Sequence, residues 1–249
     1  MSALDPNHVE YTISTGHVQI IMDNGTQIPA YWAYPNLGRR LPGVTLIHDW
    51  WGLTDAVRRL AHQFAQVGYY VIVPDLFDGK VAATPREAME LIQRLGDQAY
   101  PRIDTAIRAL EDHHQCNRQV AAVGLGMGGS LAFEAAIVRN DLEAAVAYYG
   151  FPQRYLGRFK DCKTPILAFY GSSEPHISPQ VIGQLRAEFD ATTQDMPHRL
   201  TILNGVGHDF FSGTTTRQQE NALRESWRLT LDFLDAHIEG RSQAPKRVI

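Results

Sequence analysis

The chain has 249 residues, of which 44% are hydrophobic and 20% charged, with a formal net charge of −4. That length suits one large α/β domain with a sizeable core, and the composition is that of an ordinary globular protein. The weakly negative balance excludes the basic footprint of a nucleic-acid or membrane-surface binder, and no apolar run approaches the roughly 18 residues of a membrane span.

In chain order, residues 1–17 read as a polar N-terminal extension without the basic and apolar regions of a signal peptide. Residues 18–22 and 28–34 flank Asn24-Gly25 and predict an antiparallel hairpin. Residues 43–48 are an apolar run that ends in polar side chains, a buried strand. A helix is expected over 55–66, with Ala56, Leu60 and Phe64 on one face and Gly68 as its stop. Residues 70–75 form another buried strand. A long helical region covers 85–113, with a break expected near Gly96-Asp97.

Residues 120–123 read as a strand leading through Gly124-Leu125-Gly126-Met127-Gly128-Gly129 into a helix over 127–138. Strands follow at 144–149, 165–170 and 200–203, and helices at 178–189 and 217–238. The tail, 241–249, is basic and carries a proline, so it is expected to fray. Strands alternating with helices imply a mostly parallel sheet covered on both faces. No linker or repeat divides the chain, so residues 18–240 read as a single domain.

Ligands in such sheets bind beyond the carboxyl ends of the strands. Four polar stations fall there: His48-Asp49, Gly126, Glu174 and His208. A strand, a glycine-rich turn and a helix make the setting of a nucleophile elbow, G-x-nucleophile-x-G, but its central position here is Gly126, which has no side chain. His208 follows the last strand as a candidate general base. Glu174, three residues past Gly171, is a candidate acid to orient it; the alternative is a solvated loop carboxylate.

Asp49 is either a pocket carboxylate or an N-terminal cap for the next helix. The backbone N–H groups of Trp50 and Met127 are candidates for an oxyanion hole. Trp50, Trp51, Phe77, Tyr149, Phe210 and Phe211 gather near these strand ends and are expected to wall a small-molecule pocket, core filling being the alternative for each.

At these residues the chain resembles the dienelactone hydrolase family of α/β-hydrolase proteins. The likeness runs over about residues 18–238. It rests on His48-Asp49-Trp50-Trp51-Gly52-Leu53, Pro74-Asp75-Leu76-Phe77, the glycine turn, Gly171-Ser172-Ser173-Glu174 and Gly205-Val206-Gly207-His208. The resemblance implies the α/β-hydrolase fold and hydrolysis of small esters or lactones. It implies a Cys nucleophile where Gly126 stands, a controlling acid, normally Glu, near Asp49, a triad acid, normally Asp, at Glu174, and the base at His208. It also implies arginines shortly after Phe77 and four residues past His208, where this chain has Asp78-Gly79-Lys80 and Ser212. Dienelactone itself is therefore not the expected substrate.

A glycine at the elbow tolerates positive φ without steric cost. The missing side chain should leave a polar hole large enough for a water. Two functions follow: a hydrolase in which His208 activates water directly, or a non-catalytic protein that binds an ester, lactone or carboxylate. Ser130, one turn beyond Gly126, reads as a small packing residue. Cys116 and Cys162 lie at the wrong ends of their strands to replace a nucleophile, form no disulfide framework, and suggest a reducing cytoplasm. No organic cofactor is expected, because the glycine turn lacks the end of a P-loop and misses the dinucleotide fingerprint. No metal is expected either: His48, Asp49, Glu174, His176 and His208 are suitable ligand types without a metal-binding spacing.

Overall fold

The computed structural model describes residues 11–192, 198–211 and 216–241. Eight strands form one sheet: β1 (Ile13–Ile21), β2 (Gln27–Pro35), β3 (Leu41–Ile47), β4 (Tyr70–Pro74), β5 (Cys116–Leu125), β6 (Ala144–Tyr148), β7 (Ile166–Gly171) and β8 (Arg199–Leu203). Their order is β1-β2-β4-β3-β5-β6-β7-β8. β1 and β2 pair antiparallel, as do β2 and β4, and every later neighbour pair is parallel. The hairpin turn closes as expected: the Met22 N–H donates to Thr26 O at 2.9 Å and Gly25 takes φ 81°. β1 starts at Ile13, five residues before the expected strand, because residues 13–17 continue the ladder with residues 31–35.

Helices cover both faces. α1 (Asp55–Gln66) and α6 (Arg217–His237) pack on one; α2 (Pro85–Leu95), α3 (Ala99–Glu111), α4 (Met127–Val138) and α5 (Pro179–Asp190) pack on the other. The alternation of strand side chains divides the core accordingly. Val120 and Ala122 of β5 join the α3–α4 side, while Ala121 and Val123 join the α1–α6 side. The expected break in the long helical region is real: Gly96 ends α2 at φ 51°, ψ −134° and a single tight turn leads into α3.

Two glycines let α4 sit directly on the strand ends. A Cβ on Gly128 would fall 2.6 Å from the His48 carbonyl oxygen, and one on Gly129 would fall 2.8 Å from that of Tyr148. No side chain fits between helix and sheet there. This close approach aims the N-terminus of α4 at the loops after β3 and β6. Among the described residues no helix is long and apolar enough to cross a membrane. The last eight residues of the tail and the first ten of the chain, with Ser212, lie outside the described residues.

Candidate active site

The parallel register brings Asp49 and Gly126 together. Ile47 pairs with Gly124 across β3 and β5, so the residues two beyond each stand side by side at the carboxyl edge of the sheet. Gly126 adopts φ 52°, ψ −113°, the left-handed turn of an elbow, held by its N–H donating to Tyr148 O at 2.9 Å. The place of a side chain on Gly126 is taken by a neighbour. A Cβ there would lie 2.7 Å from Asp49 Cγ and 2.9 Å from Oδ2, and closer still to Oδ1. The expected hole with a water is thus absent; a carboxylate fills it.

Asp49 Oδ1 accepts hydrogen bonds from the backbone N–H of Trp50 at 2.6 Å and of Met127 at 3.4 Å. These are the two groups expected to form an oxyanion hole, and a carboxylate oxygen now rests in it. Burial pushes the Asp49 carboxyl up to about 6; the Trp50 hydrogen bond works against the rise, the charge of Asp209 adds to it, and Met127 and His208 oppose it. Asp49 does not cap α1, because Thr54 does so through Val57 N–H at 3.5 Å.

His48 secures the loop. Its Nε2 accepts from the Leu76 N–H at 3.0 Å, so its Nδ1 carries the proton that it donates to Asp49 O at 2.6 Å. Complete burial lowers its pKa and keeps the ring neutral. With both nitrogens engaged, His48 has none left for a metal. Among the described residues no group of three or more His, Cys, Asp or Glu side chains could hold one.

Across the site His208 Nδ1 bonds Glu174 Oε2 at 2.8 Å. Only 2% of the Glu174 side chain is exposed, so it is no solvated loop carboxylate. Burial would raise its pKa, but the hydrogen bonds from His208 and from the His176 N–H (2.8 Å) outweigh it and hold the carboxyl below its ordinary value. Its loop is stitched to that of His208: the Ser173 N–H donates to Val206 O at 3.0 Å, and the Gly205 N–H to Ser172 Oγ at 3.0 Å. The imidazole stands among Tyr149, Phe151 and His176, with ring centroids 4.9, 5.3 and 5.0 Å away. Nδ1 being bonded to Glu174, Nε2 is the nitrogen left for chemistry.

Asp49 and His208 both open into a cavity of about 990 Å³, within the range of small-molecule sites. Trp50, Trp51, Met127 and His208 line it, with Met89 and Ile92 of α2 and Leu131 of α4 as further apolar wall. Phe77, Tyr149 and Phe210 do not line it. They are 4%, 1% and 2% exposed and lie behind the wall. Phe77 packs on His48 at 5.1 Å, while Tyr149 meets both His208 and Phe210. Their place is one of support rather than contact.

Phe151, Tyr155, His176 and Asp209 line the cavity without having been singled out for it. Asp209 takes φ 51° and accepts from Tyr149 Oη at 3.2 Å; Tyr149 takes φ 43°. Left-handed backbone at two non-glycine residues beside His208 is strain of the kind found at functional sites. Ser130 lines the cavity as well as packing: its Oγ accepts from the Phe151 N–H at 2.8 Å and donates to Gly126 O at 3.4 Å. Cys116 and Cys162 are buried free thiols away from the cavity.

An elbow after the fifth strand, an acid after the seventh and a histidine after the eighth, on a sheet of this order, define an α/β-hydrolase. The sequence profile of the dienelactone hydrolase family matches residues 28–238, and the chain belongs to that family. It is 25% identical over 225 residues to "Protein usf" of Aquifex pyrophilus, covering 86% of this chain and 96% of the relative. It is also 25% identical over 215 residues to the carboxymethylenebutenolidase of Rhodococcus opacus, covering 78% and 81%. Among solved structures, a dienelactone hydrolase-like promiscuous phosphotriesterase from metagenomic libraries superimposes with a TM-score of 0.74 at 20% identity, covering 88% of this chain and 98% of the other.

Proposed function

We propose that this protein hydrolyses small, largely apolar molecules, esters and lactones first among them, without a side-chain nucleophile on its elbow. The observation that carries this reading is the 2.8 Å bond between His208 and Glu174. The buried carboxylate fixes the ring and its tautomer and stabilises the imidazolium that forms when the ring takes a proton. A water in the cavity is the proton source, and the ring's free Nε2 is the base. With no side chain at position 126 to be acylated, water attacks without a covalent intermediate at that position. Loss of one triad member leaves roughly 10³–10⁴-fold acceleration over water in a serine protease, so a slow hydrolase is physically reasonable.

Dienelactone is a poor candidate substrate. At the place expected for a carboxylate-holding arginine, Asp78 is paired with Arg102 at 2.7 Å, and Lys80 is exposed. The substrate is a small molecule rather than a nucleic acid, and two free buried cysteines favour a reducing, cytoplasmic setting.

Asp49 supports a second reading. Its Oδ1 uses both backbone donors that an ester carbonyl would need. A protein with that hole closed would bind ligand without turning it over. Hydrolysis of phenyl esters and small lactones by the native chain, His208→Ala and Glu174→Gln decides between the two. Turnover that falls at least about 100-fold in both variants supports the hydrolase, a loss typical of removing a general base. An inert native chain that binds such ligands saturably supports the binder.

A further inference from the structure

We propose that Asp49 is the nucleophile of this site, working from the end of β3 in place of a residue at 126, and that its substrates are small haloalkanes. The assignment rests on reading His208–Glu174 as a water-activating pair and adds to it the group attacked by that water.

Four observations carry it. The Asp49 carboxylate occupies the volume that an elbow side chain would fill. One of its oxygens, Oδ1, is held by the Trp50 and Met127 N–H groups, while no described residue donates to Oδ2, and Asp49 lines the cavity. An oxyanion hole filled by the protein's own carboxylate is poorly placed to receive a substrate carbonyl. It is well placed to stabilise charge on Oδ1 when an ester of Asp49 is itself hydrolysed. Finally, the cavity walls are mainly apolar, and Trp50, Trp51 and Arg154 are among the lining residues, with indole and guanidinium N–H groups that bond no described residue. Those groups would receive a departing anion.

The chemistry runs in two steps. A lone pair on Oδ2 forms a bond to the saturated carbon as the carbon–halogen bond breaks, and the halide leaves with that pair. His208 Nε2 then takes a proton from water, and the hydroxide oxygen adds to Asp49 Cγ. The Cγ–Oδ1 π pair moves onto Oδ1, where the two N–H groups hold it. Collapse re-forms the carbonyl and breaks the Cγ–Oδ2 bond. The alcohol leaves with Oδ2 and the proton from His208. Asp49 keeps the oxygen from water and releases a proton to solvent, so haloalkane and water give alcohol, halide and a proton.

A halide needs no proton to leave, which separates it from an epoxide oxygen. The Tyr155 hydroxyl that lies by the cavity is committed to Glu134 at 2.9 Å, and that of Tyr149 to Asp209. Burial also leaves the Asp49 carboxylate poorly hydrated yet, with its carboxyl at about 6, mostly ionised at neutral pH.

The test uses the full chain, its His208→Ala and Asp49→Asn variants, and 1-bromohexane as probe. In His208→Ala, bromide release should stop after about one equivalent, because the general base for the second step is missing. Peptide mapping should find one hexyl ester, on Asp49. In a single turnover of the native chain in water enriched in heavy oxygen, the label should enter Asp49 and not the hexanol. Asp49→Asn should release no bromide while keeping the native circular dichroism spectrum. Label in the alcohol, or His208→Ala left unmodified at Asp49, overturns the assignment. If that happens while phenyl esters are still cleaved in a His208-dependent way, the nucleophile assignment alone falls. If ester cleavage ignores His208→Ala, the water-activating reading falls with it.

Discussion

The Asp49 carboxylate stands where a side chain on Gly126 would stand, with Cγ 2.7 Å from the Cβ that Gly126 lacks. The two positions are therefore mutually exclusive as built: either 126 carries a side chain or Asp49 rests on the Trp50 and Met127 N–H groups. Gly126→Ala should destabilise the protein by about 2–4 kcal/mol, combining backbone strain of order 1–3 kcal/mol at φ 52° with the displacement of Asp49. The strain persists without Asp49, but the collision does not. In a double-mutant cycle with Asp49→Ala, denaturant unfolding should show Gly126→Ala costing at least about 1 kcal/mol less than in the native background. Equal costs in both backgrounds would mean that Asp49 is free to turn away.

The buried charge of Asp49 makes stability depend on pH. Its carboxyl stands at about 6 in the folded chain against an ordinary 3.8, so ionisation costs the folded state. That cost is fully present above pH 6 and fades as pH falls to 3.8, below which the group is protonated in both states. Asp49→Asn should therefore stabilise the protein by about 1–3 kcal/mol at pH 8, from a shift of about two units at 1.36 kcal/mol each. The advantage should shrink through pH 6–4. Unfolding midpoints of both proteins across that range check the sign, and an advantage that grows on acidification would contradict it.

Glu174 behaves in the opposite sense. Its carboxyl lies below its ordinary 4.5 despite burial, so its contribution is present above that value and is lost as pH falls below it. It also fixes His208 at Nδ1. Glu174→Gln should keep the fold and lower turnover by about 10²–10⁴-fold with little change in KM, as expected for a group that sets the tautomer of a general base. Glu174→Asp shortens the side chain by one methylene and stretches the 2.8 Å bond, so it should fall between. Steady-state kinetics of the two variants on one ester substrate checks the order.

The stations at the sheet edge were legible because each follows a buried strand, and strands of an α/β sheet deliver their ends to one side. His208 and Glu174 were placed by that rule together with the elbow–acid–histidine order of the family the chain resembles. The filling of the elbow by Asp49 was not legible, because it depends on the β3–β5 register, in which Ile47 meets Gly124, and on the rotamer of one side chain. Counting two residues beyond that pairing would have found the neighbour, but a single sequence carries no register between strands separated by a crossover. Trp50 and Trp51 reach the cavity as expected, and the aromatic residues that miss it do so for a related reason. Tyr149 and Phe210 lie next to the strand ends in sequence, yet their left-handed or turned backbone sends the rings behind the wall, while Phe151, two residues on from Tyr149, reaches the cavity.

Tyr149 tests whether that supporting layer sets the site. Its hydroxyl is buried and donates to Asp209 at 3.2 Å, and burial followed by the charges of Asp209 and Asp49 pushes its own pKa well above 10. It is therefore a neutral donor at every working pH. Tyr149→Phe keeps the ring against His208 and removes only that donor to Asp209. The expected loss is about 1.5–3 kcal/mol of stability, the range for a hydrogen bond to a charged group. The effect should reach Asp49 as well, because the charge of Asp209 already raises the Asp49 pKa. With one donor fewer on Asp209, its negative charge is less screened, so Asp49 should titrate above its native value of about 6. Carboxylate difference infrared spectra of the native chain and Tyr149→Phe, with Asp49→Asn to assign the band, measure the shift. A titration unchanged by Tyr149→Phe would show that Asp209 does not pass the loss of its donor on to Asp49.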